Sequence, residues 1–303
     1  MTLSRRRFLT ISAGALGLGA FGAAGARAGA GFTHWEGQAL GAACKITLRA
    51  PPQRAQPALD AALADLRAVE RLFNLYDPGS ALSRLNAAGH LARPDPRFTE
   101  LVDLADQMHD ATEGRFDPSI QPLWSALARG GDARAARARV GWDRVRWQDG
   151  ALRLAPGQAL SFNGIAQGYA TDLVSDTLSA HGFGDLLVNI GEFRGTGGPW
   201  RIGLQDPDQG LLGTRVLRSG AIATSSPRAL HLARGATHIL DPLGATGPQW
   251  STVSVEAGTA AVADALSTAL CLADRKAASR IKARVSGVER ITLVDFEGDL
   301  VTL

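Results

Sequence analysis

Residues 161–172 read Ser-Phe-Asn-Gly-Ile-Ala-Gln-Gly-Tyr-Ala-Thr-Asp, and this stretch decides how the rest of the chain is interpreted. It follows an apolar, strand-like run at 152–160 and opens a helical pattern that lasts to about His181. Gly182 stands where a helix is expected to end. The sequence therefore predicts a strand, a turn and a helix in direct succession.

The start of this helix has two interpretations. Asn163 and Gly164 fall at its N-terminus, where unpaired N–H groups favour a phosphate and a glycine lets a ligand approach the backbone. Alternatively, Gly164 and Gly168 serve only the close packing of a strand-to-helix turn. The stretch by itself leaves both open.

Strand and helix signals along the whole chain predict an α+β fold. Predicted helices cover 57–73, 95–110, 163–181, 260–272 and 275–285. Predicted strands lie in 33–48, 145–147, 151–154, 186–190, 200–204, 215–219, 253–255, 290–295 and 300–303, and a strand followed by a turn covers 237–244. Because several strands are linked by hairpins, we expect mixed or antiparallel sheets with packed helices.

Residues 1–28 have the order of an export signal. A charged segment, Ser-Arg-Arg-Arg-Phe-Leu at 4–9, precedes an apolar run at 11–24 and an Ala-Arg-Ala cleavage-like site at 26–28. The apolar run is too short for a stable membrane span. The twin arginines predict use of the twin-arginine export machinery, which carries folded proteins. We therefore expect a mature domain at 29–303 that resides in the periplasm.

The charge of the mature segment gives no sign of a nucleic-acid partner. The chain has 32 Lys+Arg and 29 Asp+Glu, and four of the arginines lie in the predicted signal. The remaining 28 basic and 29 acidic residues give a net charge near −1, so the basic pI reflects the signal. Cys44 and Cys271 could pair after export, although nothing in the sequence indicates that they are close.

Three short segments carry polar groups that suit a ligand site. Asp264 and Thr268 are four residues apart on one helical face, and their oxygens suit Mg²⁺, but they could equally support the helix itself. Asp117 precedes a proline and is held extended, which aims it at a ligand or makes it cap the next turn. Tyr76 follows a helix and could cover its end or stack on a planar ligand.

Seven motifs in one order make the chain similar to the FAD:protein FMN transferase family, the ApbE-like proteins. The resemblance covers about 40–303, nearly all of the predicted mature chain. The motifs are Tyr-x-Pro-x-Ser…Ser-Arg-Leu-Asn, Gly-Arg-Phe-Asp-Pro-Ser, Asn-Gly-Ile-Ala-Gln-Gly-Tyr-Ala-x-Asp, Val-Asn-Ile-Gly-Glu, Ala-Thr-Ser, His-Ile-x-Asp-Pro-x-x-Gly and Ala-Asp-Ala-Leu-Ser-Thr-Ala.

The resemblance implies a two-lobed protein with FAD between the lobes. It implies an enzyme that uses Mg²⁺ to attach FMN from FAD, through a phosphoester bond, to a threonine of a partner flavoprotein, with release of AMP. Two of the motifs, Asn-Gly-Ile-Ala-Gln-Gly and Val-Asn-Ile-Gly-Glu, resemble a subgroup linked to nitrous-oxide respiration, whose acceptor is a membrane-anchored, periplasm-facing flavoprotein. Some members hydrolyse FAD to FMN and AMP instead, and a flavin-binding or delivery protein without turnover is a further alternative.

The resemblance also implies roles for individual residues. His238 corresponds to the proposed base toward the accepting hydroxyl, and Asp241 would orient its segment. Metal ligands would come from Asp264, Thr268 and a backbone oxygen of Gly164 or Ala166. The implied FAD-binding residues are Leu40, Tyr76, Arg115, Phe116, Asp117, Ser161, Gln167, Ile239 and Ser267.

Three positions depart from the family pattern. Ser161 stands where an acid is common, and Gln167 stands where Lys or Glu is common. Ser226 follows Thr-Ser at a position where glycine is usual.

Overall fold

An eight-stranded antiparallel sheet forms the centre of the computed structural model, which describes residues 31–244 and 247–303. The predicted signal at 1–28 lies outside the described residues. Within the described ranges, every helix is too short or too polar to cross a membrane.

Helices and strands alternate along the described part of the chain. The strands are β1 (Thr33–Ala39), β2 (Ala42–Leu48), β3 (His90–Ala92), β4 (Arg146–Gln148), β5 (Ala151–Arg153), β6 (Leu186–Ile190), β7 (Phe193–Thr196), β8 (Trp200–Asp206), β9 (Gly210–Leu217), β10 (Gly220–Ser225), β11 (Thr252–Ala257), β12 (Val288–Val294) and β13 (Leu300–Thr302). The α-helices are α1 (Pro52–Phe73), α2 (Ala81–Ala88), α3 (Pro96–Ala111), α4 (Gln121–Ala128), α5 (Ala133–Arg137), α6 (Ala166–Ala180), α7 (Ala260–Leu270) and α8 (Arg275–Arg284).

The large sheet has the strand order β1-β2-β6-β7-β10-β11-β12-β13, with antiparallel neighbours throughout. Its two faces are covered differently. In β6, Leu186, Val188 and Ile190 are fully buried beneath helices. Leu187 points to the opposite face, where it packs against the β8–β9 hairpin. The period-two alternation of strand side chains therefore places the helices on one face and the hairpin on the other.

Two hydrophobic clusters lie on the helical face. The first joins α1, α3 and α6 to β2 and β6, and the second joins α7 and α8 to β10, β11 and β12. The α+β class and the antiparallel sheet are confirmed, because similar solved structures share this fold. The contact between α6 and α7 connects the two clusters.

Gly168 and Asp172 fix the contact between α6 and α7. A methyl group on Gly168 would overlap the Ala260 carbonyl, so only glycine allows this approach. The Asp172 carboxylate accepts the N–H groups of Ala260 (2.8 Å) and Ala261 (2.9 Å) at the start of α7. It also pairs with Arg194 at 2.9 Å. One motif thus supplies both the packing and the capping that set the position of α7.

Several predicted boundaries are wrong for local reasons. The run at 152–160 is a strand only in β5, because the chain then turns and buries Gln158. Helix α6 begins at Ala166 rather than 163, after a turn. Helix α1 begins at Pro52, since proline is tolerated in a first helical turn.

Other elements were misjudged or missed. The strand predicted within 237–244 is absent from the described part of that segment; the sheet contact there is a single bridge between His231 and Thr237. Short helices α2 and α4 were not predicted. Cys44 and Cys271 are both buried and unpaired, so no disulfide joins them.

Candidate active site

A cleft of about 1170 Å³ lies where the two hydrophobic clusters meet. The β1–β2 turn, α4, the turn before α6, β10, α7 and the segment around His238 all contribute to its walls. Its volume exceeds the roughly 300–1,000 Å³ of most small-molecule pockets, which suits an extended ligand.

Asp264 and Glu192 are buried carboxylates that line this cleft. Asp264 Oδ2 accepts the Gly168 N–H at 3.1 Å, and Glu192 Oε2 accepts the Thr224 N–H at 3.1 Å. Burial raises the pKa of Asp264 to about 7. The hydrogen bond from Gly168 lowers this pKa, and the negative charge of Asp172 raises it. Burial, together with the Asp264 charge, raises the pKa of Glu192 well above its ordinary value. Two acids are therefore held where neither is well solvated.

Hydroxyl groups stand beside these acids. Ser225 Oγ lies 2.7 Å from Ser267 Oγ and 3.3 Å from Thr268 Oγ1. Gly164 lies directly against Thr268, since a methyl group there would come within 2.9 Å of Thr268 Oγ1. Thr268, Gly164 and Ala166 line the cleft, whereas Ser267 is fully buried behind Ser225.

The donor set fits a hard divalent cation. Carboxylate, hydroxyl and backbone carbonyl oxygens are the ligands that Mg²⁺ prefers. None of the ion pairs among the described residues involves Asp264 or Glu192, so a bound cation would be the partner that favours their ionised forms. No cluster of three His, Cys, Asp or Glu side chains occurs in 31–244 or 247–303, so a cation here would also use Thr268 and backbone oxygens.

His238 lies on the cleft wall, and one of its ring nitrogens is hydrogen-bonded to backbone carbonyls. Its Nδ1 lies 3.1 Å from the Pro227 carbonyl oxygen and 3.3 Å from the Leu230 carbonyl oxygen. Carbonyls only accept, so Nδ1 carries the proton in the neutral ring and Nε2 keeps a lone pair. Burial lowers the pKa of His238 below its ordinary value of 6.5, despite these hydrogen bonds. The ring is therefore neutral at pH 7 and able to accept a proton.

Asp241 holds the loop after His238 and does not line the cleft. Its Oδ1 accepts the Leu243 N–H at 2.9 Å, and its carbonyl oxygen accepts from Arg137 at 2.8 Å. Ile239, by contrast, is buried and does line the cleft.

The residues predicted to bind the flavin and the adenosine also line the cleft. Tyr76 is 54% exposed, whereas Phe116 is buried. Arg115 lines the cleft while paired with Glu113 at 3.1 Å. Asp117 also lines it, but its Oδ1 accepts from both the N–H and the hydroxyl of Ser119, which makes it a turn cap.

Gln167 acts on the β1–β2 turn. Its Nε2 donates to the Leu40 carbonyl at 3.0 Å, and the Leu40 N–H donates to Glu70 at 3.2 Å. Leu40 has φ +48, so these two bonds hold a left-handed turn at the cleft edge. Ser161 lines the cleft, and its Oγ accepts the Asn163 N–H at 3.3 Å.

Comparison with known proteins identifies the family. The ApbE family model matches residues 40–292, which is more than half of the chain. The chain belongs to the ApbE family. This confirms the family that the sequence motifs indicate.

Relatives of this ApbE-family chain agree with that assignment. A protein of Rhodobacter capsulatus named FAD:protein FMN transferase is 28% identical over 277 residues, covering 82% of this chain. The alignment covers 53% of that relative, so the chain spans about half of its length.

Solved ApbE structures have the same fold. The ApbE protein of Thermotoga maritima superposes with a TM-score of 0.79 at 23% identity, covering 89% of this chain and 96% of its own. The apo form of the flavinyl transferase ApbE of Pseudomonas stutzeri gives 0.76 at 26% identity, with 90% and 94% coverage.

Glu192, Ser225 and Asp172 have no role in the sequence-based site, although each lies within a motif. Glu192 could have been found, because it directly follows a buried strand and a glycine, and a carboxylate at the end of a strand is well placed for a ligand site. The network of Ser225 could not, since it depends on β10 lying beside α7.

Proposed function

We propose that this chain is an FAD:protein FMN transferase that is Mg²⁺-dependent and releases AMP. The observation that carries the proposal is one cleft that combines buried carboxylates, a hydroxyl cluster and a neutral histidine with its lone pair on Nε2. The name of the Rhodobacter capsulatus relative supports the same activity.

The reaction is a single displacement at phosphorus. The hydroxyl oxygen of the acceptor threonine attacks the phosphorus of the FMN half of FAD, and the bond from that phosphorus to the bridging oxygen breaks. AMP leaves with the bridging oxygen, and FMN becomes joined to the threonine by a phosphoester. Such a transfer depends mainly on positioning and on stabilising negative charge.

His238 accepts the proton of the attacking hydroxyl. A threonine hydroxyl is a poor nucleophile, and a positioned base contributes typically about 10²–10⁴-fold to rate. The Pro227 and Leu230 carbonyls keep the Nδ1 proton in place, so the basic electron pair stays on Nε2.

Asp264, Thr268, Glu192 and backbone oxygens near Gly164 would hold Mg²⁺. The ion supplies charge neutralisation for the pyrophosphate and the leaving phosphate. Gly168 donates its N–H to Asp264, so this N–H of α6 orients a ligand carboxylate rather than binding phosphate directly.

The acceptor is a flavoprotein that carries the target threonine. Residues 4–28 have the pattern of a twin-arginine export signal, so we propose that this chain works in the periplasm and that its acceptor faces the periplasm. That the acceptor is membrane-anchored is implied only by the resemblance to the subgroup linked to nitrous-oxide respiration. Replacing Arg5 and Arg6 together with lysine should retain the chain in the cytoplasm, whereas replacing Arg7 should not.

The proposal is tested by incubating the protein with FAD, Mg²⁺ and an acceptor domain that contains a Ser/Thr-Gly-x-Thr sequence. Intact mass and in-gel flavin fluorescence should show one FMN on the acceptor. EDTA, or an acceptor whose threonine is replaced by valine, should abolish the label. Free FMN and AMP with an unlabelled acceptor would indicate a hydrolase, and retained, unconsumed FAD would indicate a carrier.

A further inference from the structure

A buried chain of hydroxyl groups connects the β8–β9 hairpin to the turn that holds His238. Asp206 ends β8, and its Oδ2 accepts from Ser251 Oγ and Thr252 Oγ1, each at 2.6 Å. Thr252 Oγ1 lies 2.7 Å from Ser226 Oγ. These four side chains are between 1% and 4% exposed, so water does not compete for the bonds.

In each of these hydrogen bonds, chemistry determines which group donates and which accepts. Burial tends to raise the pKa of Asp206, but hydrogen bonds from Ser251, Thr252 and two backbone N–H groups lower it overall. Asp206 is therefore an ionised acceptor, and Thr252 must donate to it. Because the Thr252 hydrogen is used in this way, Ser226 must donate to Thr252. Ser226 is thus held by a charge-assisted relay.

Ser226 directly precedes the short helical turn Pro227–Ala229. Its carbonyl accepts the Ala229 N–H at 3.0 Å, and the carbonyls of Pro227 and Leu230 accept from His238 Nδ1. Arg228 in the same turn pairs with Asp208 of the hairpin at 3.1 Å. The turn that orients the histidine is therefore anchored to the hairpin on the far face of the sheet.

We propose that Asp206, Thr252 and Ser226 form a positioning network for His238. By fixing the Pro227–Ala229 turn, the network holds the two carbonyls that keep the proton on Nδ1 and the lone pair on Nε2. The catalytic use of His238 in this inference rests on the proposed function. The effect of the network on the His238 tautomer does not depend on that function.

Thr252 offers a matched pair of variants. Thr252→Val keeps the shape and removes the hydroxyl, whereas Thr252→Ser keeps the hydroxyl and removes a buried methyl group. Thr252→Val should lower kcat for FMN transfer about tenfold, part of the contribution of a positioned base, with KM for FAD within about twofold of wild type. Thr252→Ser should retain most of kcat, although it should unfold at lower temperature.

The tautomer of His238 provides a readout that needs no turnover. ¹⁵N shifts of its ring, assigned by comparison with His238→Ala, should show Nδ1–H in wild type and in Thr252→Ser. Thr252→Val and Ser226→Ala should show a mixture with Nε2–H. If Thr252→Val keeps the wild-type tautomer, or if Thr252→Ser is changed as much as Thr252→Val, the network does not position His238. If the wild-type protein transfers no FMN, the proposed function fails. The tautomer of His238 in the variants would still show whether the network positions this ring.

Discussion

At His238, two backbone carbonyls take the orienting role that a carboxylate has in Ser-His-Asp sites. This arrangement leaves the ring neutral, because burial without an acidic partner lowers its pKa. The acids are kept elsewhere in the cleft, at Asp264 and Glu192. The site thus separates a group that is able to accept a proton from the groups that suit a cation.

Replacing His238 with alanine should reduce FMN transfer about 10²–10⁴-fold while FAD binding persists. For wild type, the rate should fall as pH decreases through the lowered pKa, below 6.5, because the protonated ring is not a base. Single-turnover transfer and flavin fluorescence titration measure the two effects. A variant that transfers at the wild-type rate would remove His238 from the mechanism.

Replacing Asp264 with asparagine should stabilise the metal-free protein at pH 7 by on the order of 1 kcal/mol, while abolishing transfer. The pKa of Asp264 rises from 3.8 to about 7 on folding, so the folded state holds a proton that the unfolded chain releases in this range. Its contribution to stability therefore falls as pH rises from about 4 to 7. Urea unfolding across this range, without metal, should show a weaker pH dependence for Asp264→Asn.

Mg²⁺ provides the control for this interpretation. It should raise the unfolding temperature of wild type and leave that of Asp264→Asn nearly unchanged. An equal rise in both proteins would place the cation elsewhere.

At the scale of elements, the site depends on how closely α6 approaches α7. Gly168 allows the contact, and Asp172 caps α7 from α6. As a result, the Gly168 N–H reaches Asp264 and Thr268 faces Gly164. The packing and ligand-binding interpretations of the 161–172 stretch are therefore not alternatives, since the packing places the candidate ligands.

Gly168→Ala should destabilise the protein by about 1–3 kcal/mol, because the added methyl group overlaps the Ala260 backbone and must push the helices apart. Chemical denaturation measures this change. Gly184→Ala is a matched control, since a methyl group there meets no atom within 4 Å, and it should change stability by less than about 0.5 kcal/mol. Equal effects in both variants would contradict the close-contact explanation.

At the scale of the whole molecule, the cleft is assembled from segments far apart in sequence. Its lining residues belong to both halves of the molecule and to the loops that connect their elements. Examples are Leu40, Tyr76, Asp117, His238 and Thr268. A ligand in the cleft therefore contacts parts of the chain that separate when the protein unfolds.

FAD should stabilise the folded protein by about 2.7 kcal/mol at 100 times its dissociation constant. FMN or AMP alone, at the same concentration, should stabilise it less because each covers only part of the cleft. Thermal unfolding followed by tryptophan emission, which needs no added dye, compares the stabilisation by FAD, FMN and AMP. Equal shifts for FAD and AMP would show that the flavin end of the ligand is not bound.

Local patterns were enough for much of this structure. The amphipathic spacing in α1 and the hairpin of β12 and β13 depend on neighbours in sequence, and both were predicted. The segment at 237–244 was mispredicted as a strand, because its apolar residues pack into the cleft wall without a ladder partner. Asp117 offered two local interpretations, and its contacts with Ser119 show the turn cap.

The family, the α+β class and a carboxylate and a hydroxyl on one face of α7 can be read from the amino-acid sequence, because motif order and helical spacing are written in the order of the residues. The folded molecule is needed to see that Glu192 faces the same cleft as Asp264, which tautomer His238 adopts and what anchors its turn. These features arise from antiparallel pairing and helix packing between residues that are distant in the chain. Burial then sets their hydrogen bonds and pKa values, and burial exists only in the folded molecule.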